Sequence, residues 1–190
     1  MKTLHIVLGV TGSIAAYKAG DLIRRLRDPQ GKFRSYDVRV FVLMTKEAED
    51  FISPLTLGSL SGEKVYRSSG NWLQESEPLS HIWLAQHADV FLVAPATANI
   101  VGKLAQGIAD DLITTTFLAT RAPILLAPAM NDQMYAHPFV QENFKKLKKF
   151  GTRLIEPVKG HLACGSFGEG HLAEIDDIVK AVAETVAKKK

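Results

Sequence analysis

The feature that most constrains this chain is an alternation: short runs of Val, Ile and Leu, each followed by a segment with helical spacing. Residues 4–10 read as a first strand, buried on both faces and ending in Gly9-Val10-Thr11-Gly12-Ser13. Behind it Ala15, Ala19, Leu22, Ile23 and Leu26 share one helix face, until Asp28-Pro29-Gln30-Gly31 breaks the pattern. Further strands are predicted at 37–44, 63–66, 90–94, 123–127 and 152–156. Helices are predicted at 54–61, at 80–86 with Ser80 as N-cap, from about 99 and 110, and near 138–150. A last helix puts Ile175, Ile178, Val179, Val182 and Val186 on one face. Strands alternating with helices require a parallel sheet covered on both sides. The expected fold is therefore α/β: a three-layer, doubly wound parallel sheet of about six strands, Rossmann/flavodoxin-like. Residues 157–170, with Gly160, Gly165, Gly168 and Gly170, are the one long loop candidate, and loops of that length are commonly functional.

Composition narrows the function classes. A chain of 190 residues suits one domain over 1–190, and 46% hydrophobic with 23% charged residues argues against disorder. No apolar stretch approaches the roughly 20 residues of a membrane span, and the N-terminus enters a strand pattern without a signal-peptide segment. Cys164 is the single cysteine and cannot form an internal disulfide, which makes the cytoplasm the expected compartment. The net charge of +3 is accounted for by the basic tail at 188–190, and Lys145, Lys146, Lys148 and Lys149 read as a solvated helix face without interleaved aromatics. No nucleic-acid or membrane partner is expected.

Parallel sheets bind ligands beyond the carboxyl ends of their strands. There, Gly12-Ser13-Ile14 forms a turn that delivers backbone N–H groups and a hydroxyl to a helix start, which suits a phosphate and equally a plain structural turn. A dinucleotide site usually places Asp or Glu at the end of strand two. Here the strand ends Leu43-Met44-Thr45-Lys46, a hydroxyl and a cation, favouring a mononucleotide such as FMN over NAD, with Lys46 as an ordinary surface lysine the alternative. Strands four and five run into Ala94-Pro95-Ala96-Thr97-Ala98-Asn99 and Ala127-Pro128-Ala129-Met130-Asn131, whose prolines should stop the strands and whose small residues admit a flat ring. Asn131 can donate to a carboxylate while accepting from an amide, or can simply cap the next short helix. His81 reads as a helix-start neighbour, and His161, Cys164 and His171 lack zinc-ligand spacing, so no metal is expected.

In combination these pieces are recognisable. His81-Ile82 with Leu84-Ala85 and Ala88-Asp89, then Ala94-Pro95 with Ala98-Asn99, Pro128-Ala129-Met130-Asn131 and Ala163-Cys164-Gly165 resemble the flavin-containing cysteine decarboxylases, within them the branch acting on 4′-phosphopantothenoylcysteine in coenzyme A biosynthesis. The resemblance runs from about residue 2 to 182. It implies an FMN-dependent carboxy-lyase that oxidises the substrate thiol to a thioaldehyde, loses CO₂ and reduces the enethiol to 4′-phosphopantetheine. It further implies His81 as base of the oxidative half, Cys164 as proton donor of the reductive half, and Asn131 gripping the substrate carboxylate with the Met130 backbone, beside Ala163. The FMN phosphate would lie on Gly12, Ser13 and Ile14 with Thr45, and the ring along Thr97, Ala98, Asn99 and Ala129. A homotrimer or a dodecamer of trimers is implied, with FMN near a subunit interface and 158–173 as the substrate flap.

Where the family's flap commonly ends Gly-Arg-Met or Gly-Ala-Met and then an acid and a proline, this chain has Gly170-His171-Leu172-Ala173-Glu174-Ile175. Bifunctional relatives continue into a synthetase domain, so the chain is expected to be either monofunctional or an excised N-terminal domain. Alternative readings are a peptidyl-cysteine decarboxylase, which typically lacks the Ala-Cys-Gly flap, and a flavin prenyltransferase, which lacks the whole set. A non-catalytic flavin-binding regulatory subunit would carry an acidic tail instead of three lysines.

Overall fold

The computed structural model describes residues 1–68, 80–161, 165 and 167–188. Six strands form one parallel sheet: β1 (Lys2–Val10), β2 (Tyr36–Met44), β3 (Val65–Arg67), β4 (Val90–Ala96), β5 (Ile124–Pro128) and β6 (Arg153–Leu154), in the order β3-β2-β1-β4-β5-β6. That is the dinucleotide-fold order, and its direction of winding reverses between β1 and β4. Both faces are buried because each central strand is apolar at consecutive positions. Leu4, Ile6 and Leu8 of β1, Val40 and Val42 of β2, and Leu92 and Ala94 of β4 face one layer. Val7, Phe41, Leu43, Phe91 and Val93 face the other.

The first layer holds α1 (Ala19–Leu26), α2 (Pro54–Ser61) and α8 (Ile175–Lys188). The second holds α3 (Ser80–His87), α4 (Ala98–Gln106), α5 (Leu112–Ala119) and α7 (Pro138–Lys149). Asp111 starts α5 with a reciprocal capping box to Thr114, while Gly62 and Gly107, both in the left-handed region, close α2 and α4. Lys145, Lys146, Lys148 and Lys149 are exposed on α7. No helix among the described residues is long and apolar enough to cross a membrane.

Four local expectations need correction. The first helix is split: Ile14–Lys18 is a 3-10 turn, and α-helix begins only at Ala19. Ser80 is already helical, and its buried hydroxyl has no hydrogen-bond partner among the described residues, so it does not cap α3. Pro128 is the last residue of β5, as expected, but Pro95 lies inside β4 rather than stopping it. The ladder accommodates Pro95, which has no N–H to give, through a register shift between Val93 and Ala96. Finally, the loop candidate at 157–170 contains an antiparallel hairpin, β7 (Val158–His161) with β8 (Phe167–His171). Glycine had masked the alternation that marks a strand.

Candidate active site

The carboxyl ends of β1, β2, β4 and β5 meet at one rim, held together by main-chain bonds. Thr45 N–H donates to Val10 O at 3.1 Å, and Ala129 N–H to Ala96 O at 3.1 Å. Across the reversal point, Thr11 Oγ1 donates to Pro95 O at 2.7 Å and accepts from Thr97 N–H at 3.1 Å. Both capacities of this buried hydroxyl are thus used in stapling the β1 and β4 loops. Gly12 is needed for a different reason: a Cβ there would lie 2.4 Å from Glu47 Cβ, so the β1 and β2 loops could not close with any larger residue.

Three caps point into the space this creates. Ser13 Oγ accepts from Ala15 N–H, Thr45 Oγ1 from Ala48 N–H, and Thr97 Oγ1 from Ile100 N–H. Each hydroxyl spends a lone pair on its own turn and keeps its proton, so three O–H donors remain for an anion. A cavity of about 320 Å³ is lined by Gly12, Ser13, Thr45, Thr97, Ala98, Asn99 and Ala129, with Thr11, Glu47, Met130 and Met134 also on its wall. Hydroxyl donors with small neighbours suit a phosphate joined to a flat ring system. Lys46 is exposed and lines neither this cavity nor its neighbour, so the surface-lysine alternative describes it. Glu47, not singled out in the sequence, lines the cavity instead; being exposed, its repulsion of an anion is screened to about 1 kcal/mol or less.

A second cavity, about 430 Å³, adjoins the first and shares Ser13, Ala129 and Met130 with it. Ile14 lines this one, together with Asn131. Asn131 caps the short α6 (Asp132–Ala136): Oδ1 accepts from Gln133 N–H at 2.9 Å and Met134 N–H at 3.3 Å, while Nδ2 donates to Asp132 Oδ1 at 3.0 Å. The capping and cavity-lining readings of Asn131 therefore coexist, and the cap fixes the amide nitrogen as the donor end. Tyr135 anchors α6 by donating to Glu156 at 2.8 Å; burial, then that bond, pushes its phenol well above the ordinary value, so it stays a donor. Met130 N–H donates to Gly170 O at 3.0 Å, which ties the hairpin to the β5 tip. The backbone help expected from Met130 toward a substrate carboxylate is occupied by that bond.

The sequence reading named neither Tyr17 nor Lys18, which line the second cavity together with His161 and His171 of the segment expected to be the flap. Lys18 is carried there by the 3-10 turn, whose tighter pitch departs from the α-helical face assumed for it. His81 is half-buried on α3. At the far end of α3, His87 O contacts His5 Nδ1 near the start of β1, so the His81 end points to the ligand-binding rim. Within one copy His81 lines neither cavity. Ala163 and Cys164 lie outside the described residues. No cluster of three potential metal-ligating side chains occurs among the described residues.

The sequence matches the family described as Flavoprotein over residues 1–187. A protein of Streptococcus mutans serotype c named "Probable phosphopantothenoylcysteine decarboxylase" is 45% identical over 186 residues, covering 96% of this chain and 98% of that one. The "Coenzyme A biosynthesis bifunctional protein CoaBC" of Bacillus subtilis (strain 168) is also 45% identical over 186 residues, 97% of this chain but 43% of the relative. The chain thus spans less than half the length of the bifunctional relatives it matches. Among solved structures, a PPC decarboxylase mutant complexed with pantothenoylaminoethenethiol superposes with TM-score 0.82 at 32% identity, over 95% of this chain and 97% of that one. The FMN-dependent cysteine decarboxylase SpaF gives 0.80 at 28% identity, over 97% and 96%.

Proposed function

The chain belongs to the flavoprotein family that includes phosphopantothenoylcysteine decarboxylase, and on that premise we propose that it is an FMN-dependent carboxy-lyase converting 4′-phosphopantothenoylcysteine to 4′-phosphopantetheine in coenzyme A biosynthesis. The observation that carries this reading is convergence. Gly12, Ser13, Thr45, Thr97, Ala98, Asn99 and Ala129 line one cavity at the reversal point, and the cavity bearing Asn131 opens beside it.

The Ser13, Thr45 and Thr97 hydroxyl protons would hold the FMN phosphate, with the ring against Ala98, Asn99 and Ala129. Bound FMN supplies the temporary two-electron sink that a cysteine carboxylate lacks on its own. Asn131 Nδ2 orients the departing carboxylate, and the β7–β8 hairpin acts as the flap over the substrate. His81 serves as the base that takes a proton during thiol oxidation. Because His81 lines neither cavity of its own copy, it reaches the reacting centre across a subunit interface, in a homotrimer or a dodecamer of trimers. Cys164 returns a proton to the enethiol, for which a thiol kept near its ordinary value of about 8.5 is suited. Residues 1–190 work as one domain, in the cytoplasm, without nucleic acid.

Mass spectrometry of products tests the reading. FMN-loaded protein given 4′-phosphopantothenoylcysteine should release CO₂ and form 4′-phosphopantetheine. Yellow protein that leaves this substrate intact and instead decarboxylates a peptide with C-terminal cysteine would establish the peptidyl-cysteine reading.

A further inference from the structure

The Asn131 amide is presented by a helix too short to hold its own direction. α6 has five residues, and isolated helices below about 12 residues are marginal in water. Its first turn is set by the Asn131 cap and by β8, since a Cβ at Gly168 would lie 2.6 Å from Asp132 Cβ. Its second half is set by Tyr135, which lines neither cavity. Tyr135 N–H donates to Asn131 O at 2.9 Å, and Tyr135 O accepts from Gln141 Nε2 at 2.6 Å. Its ring packs 5.7 Å from that of Phe144 on α7. The phenol donates to Glu156 Oε2 at 2.8 Å, while Lys148 Nζ donates to the other oxygen, Oε1, at 2.8 Å. Glu156 lies between β6 and β7, two residues before the hairpin begins at Val158. Burial foremost, then Glu156 and, from β8, Glu169 keep the phenol protonated.

One side chain thus ties the Asn131 helix to the root of the hairpin. Asn131 is bonded to that helix through Gln133 N–H, Met134 N–H and Tyr135 N–H, so a tilt of α6 carries the amide with it. We propose that Tyr135 and Glu156 are positioning residues for the reaction, their bond fixing the angle at which Asn131 meets the substrate carboxylate; this rests on the decarboxylase reading above. Lys148 occupies one oxygen of Glu156 and leaves the other turned to the phenol. Because Tyr135 touches neither cavity, its loss is felt only by a ligand that engages Asn131.

Calorimetry on FMN-loaded His81→Asn protein, which should bind 4′-phosphopantothenoylcysteine without releasing CO₂, tests the pair. The comparison is with 4′-phosphopantetheine, the product, which lacks the carboxylate. The substrate should bind more tightly, and Tyr135→Phe should cut that preference about 5- to 10-fold, the worth of one hydrogen bond, with product binding unchanged. Glu156→Ala should do the same, and Glu156→Gln, which keeps an acceptor oxygen, should restore most of the preference. Adding Tyr135→Phe to Asn131→Ala should cost nothing further. No preference before Tyr135 is changed, unchanged preference in folded Tyr135→Phe and Glu156→Ala, equal weakening of both compounds, or a further loss on top of Asn131→Ala would each overturn the positioning role even if the protein decarboxylates. No CO₂ release from FMN-loaded native protein would instead strike the decarboxylase reading itself.

Discussion

Gly170 sits where the β7–β8 hairpin meets the rim, and adding one methyl group there tests whether that junction is as tight as the geometry says. Its φ is +142°, a conformation L side chains rarely adopt, and an added Cβ would lie 2.2 Å from Met130 O and 3.3 Å from Met130 C. Neither contact can be relieved by a rotamer change, because both neighbours are main chain. Gly170→Ala must shift β8 or the β5 tip. The strained backbone costs about 1–3 kcal/mol and the lost Met130 N–H to Gly170 O bond about 1 kcal/mol, about 2–4 kcal/mol together. The loss falls first on local opening, since the hairpin can lift away while the six-stranded sheet stays folded. Amide exchange at Met130 should therefore accelerate far more than exchange in β1 or β4. Turnover should fall with FMN still bound, because Gly170 lines only the second cavity. Gly102→Ala is the control: its Cβ would meet nothing closer than Asn143 Nδ2 at 3.8 Å, and a helical glycine replaced by alanine should gain up to about 1 kcal/mol. Native-like exchange at Met130 in Gly170→Ala would refute the close-approach argument.

Thr97→Val removes a hydroxyl that both caps α4 and offers its proton to the cavity; stability should drop by about 1 kcal/mol in urea and FMN should bind about 10- to 100-fold more weakly by fluorescence titration. His81→Asn should abolish CO₂ release while the flavin spectrum is kept, and mixing it with an Asn131→Ala variant should recover activity through hybrid assemblies; recovery failing in verified hybrids would place the base within its own copy.

Much of this fold was legible because both faces of the central strands are buried, so the apolar runs are continuous and hard to mistake. The positions of Gly12, Ser13, Thr45 and Thr97 followed from a general rule about strand ends. What could not be read were the places where one backbone choice overrides pattern. Ile14–Lys18 has the apolar spacing of an α-helix, yet Ser13 starts a tighter turn, which carries Lys18 to the wall of the second cavity. The β7–β8 hairpin contains Gly160, Gly168 and Gly170, the last two demanded by close neighbours, and their lack of side chains erased the strand signal. A Cβ at Gly168 would lie 2.6 Å from Asp132 Cβ, a contact between residues remote in sequence. His81 was found by motif, and within one copy it lines neither cavity.

The strand order itself poses a question that the hairpin answers. A β3-β2-β1-β4-β5-β6 sheet offers two nucleotide-sized halves, one on each side of the reversal point. On the β1–β2 side, Thr45 stands where a ribose-binding acid would be needed, and the pocket offers hydroxyl donors fit for a phosphate. On the β5 side, Met130 bonded to Gly170 and Gly168 packed on Asp132 bring the hairpin down over the rim. A second nucleotide would have to displace that hairpin. The space left beneath it is the cavity lined by Asn131, Lys18 and His171, and it meets the first cavity at Ser13, Ala129 and Met130. One half of a dinucleotide architecture thus becomes a covered chamber for a second molecule, in contact with whatever flat ring occupies the first half. Redox exchange between a bound flavin and a thiol requires that adjacency, and the hairpin is what converts the sheet to it.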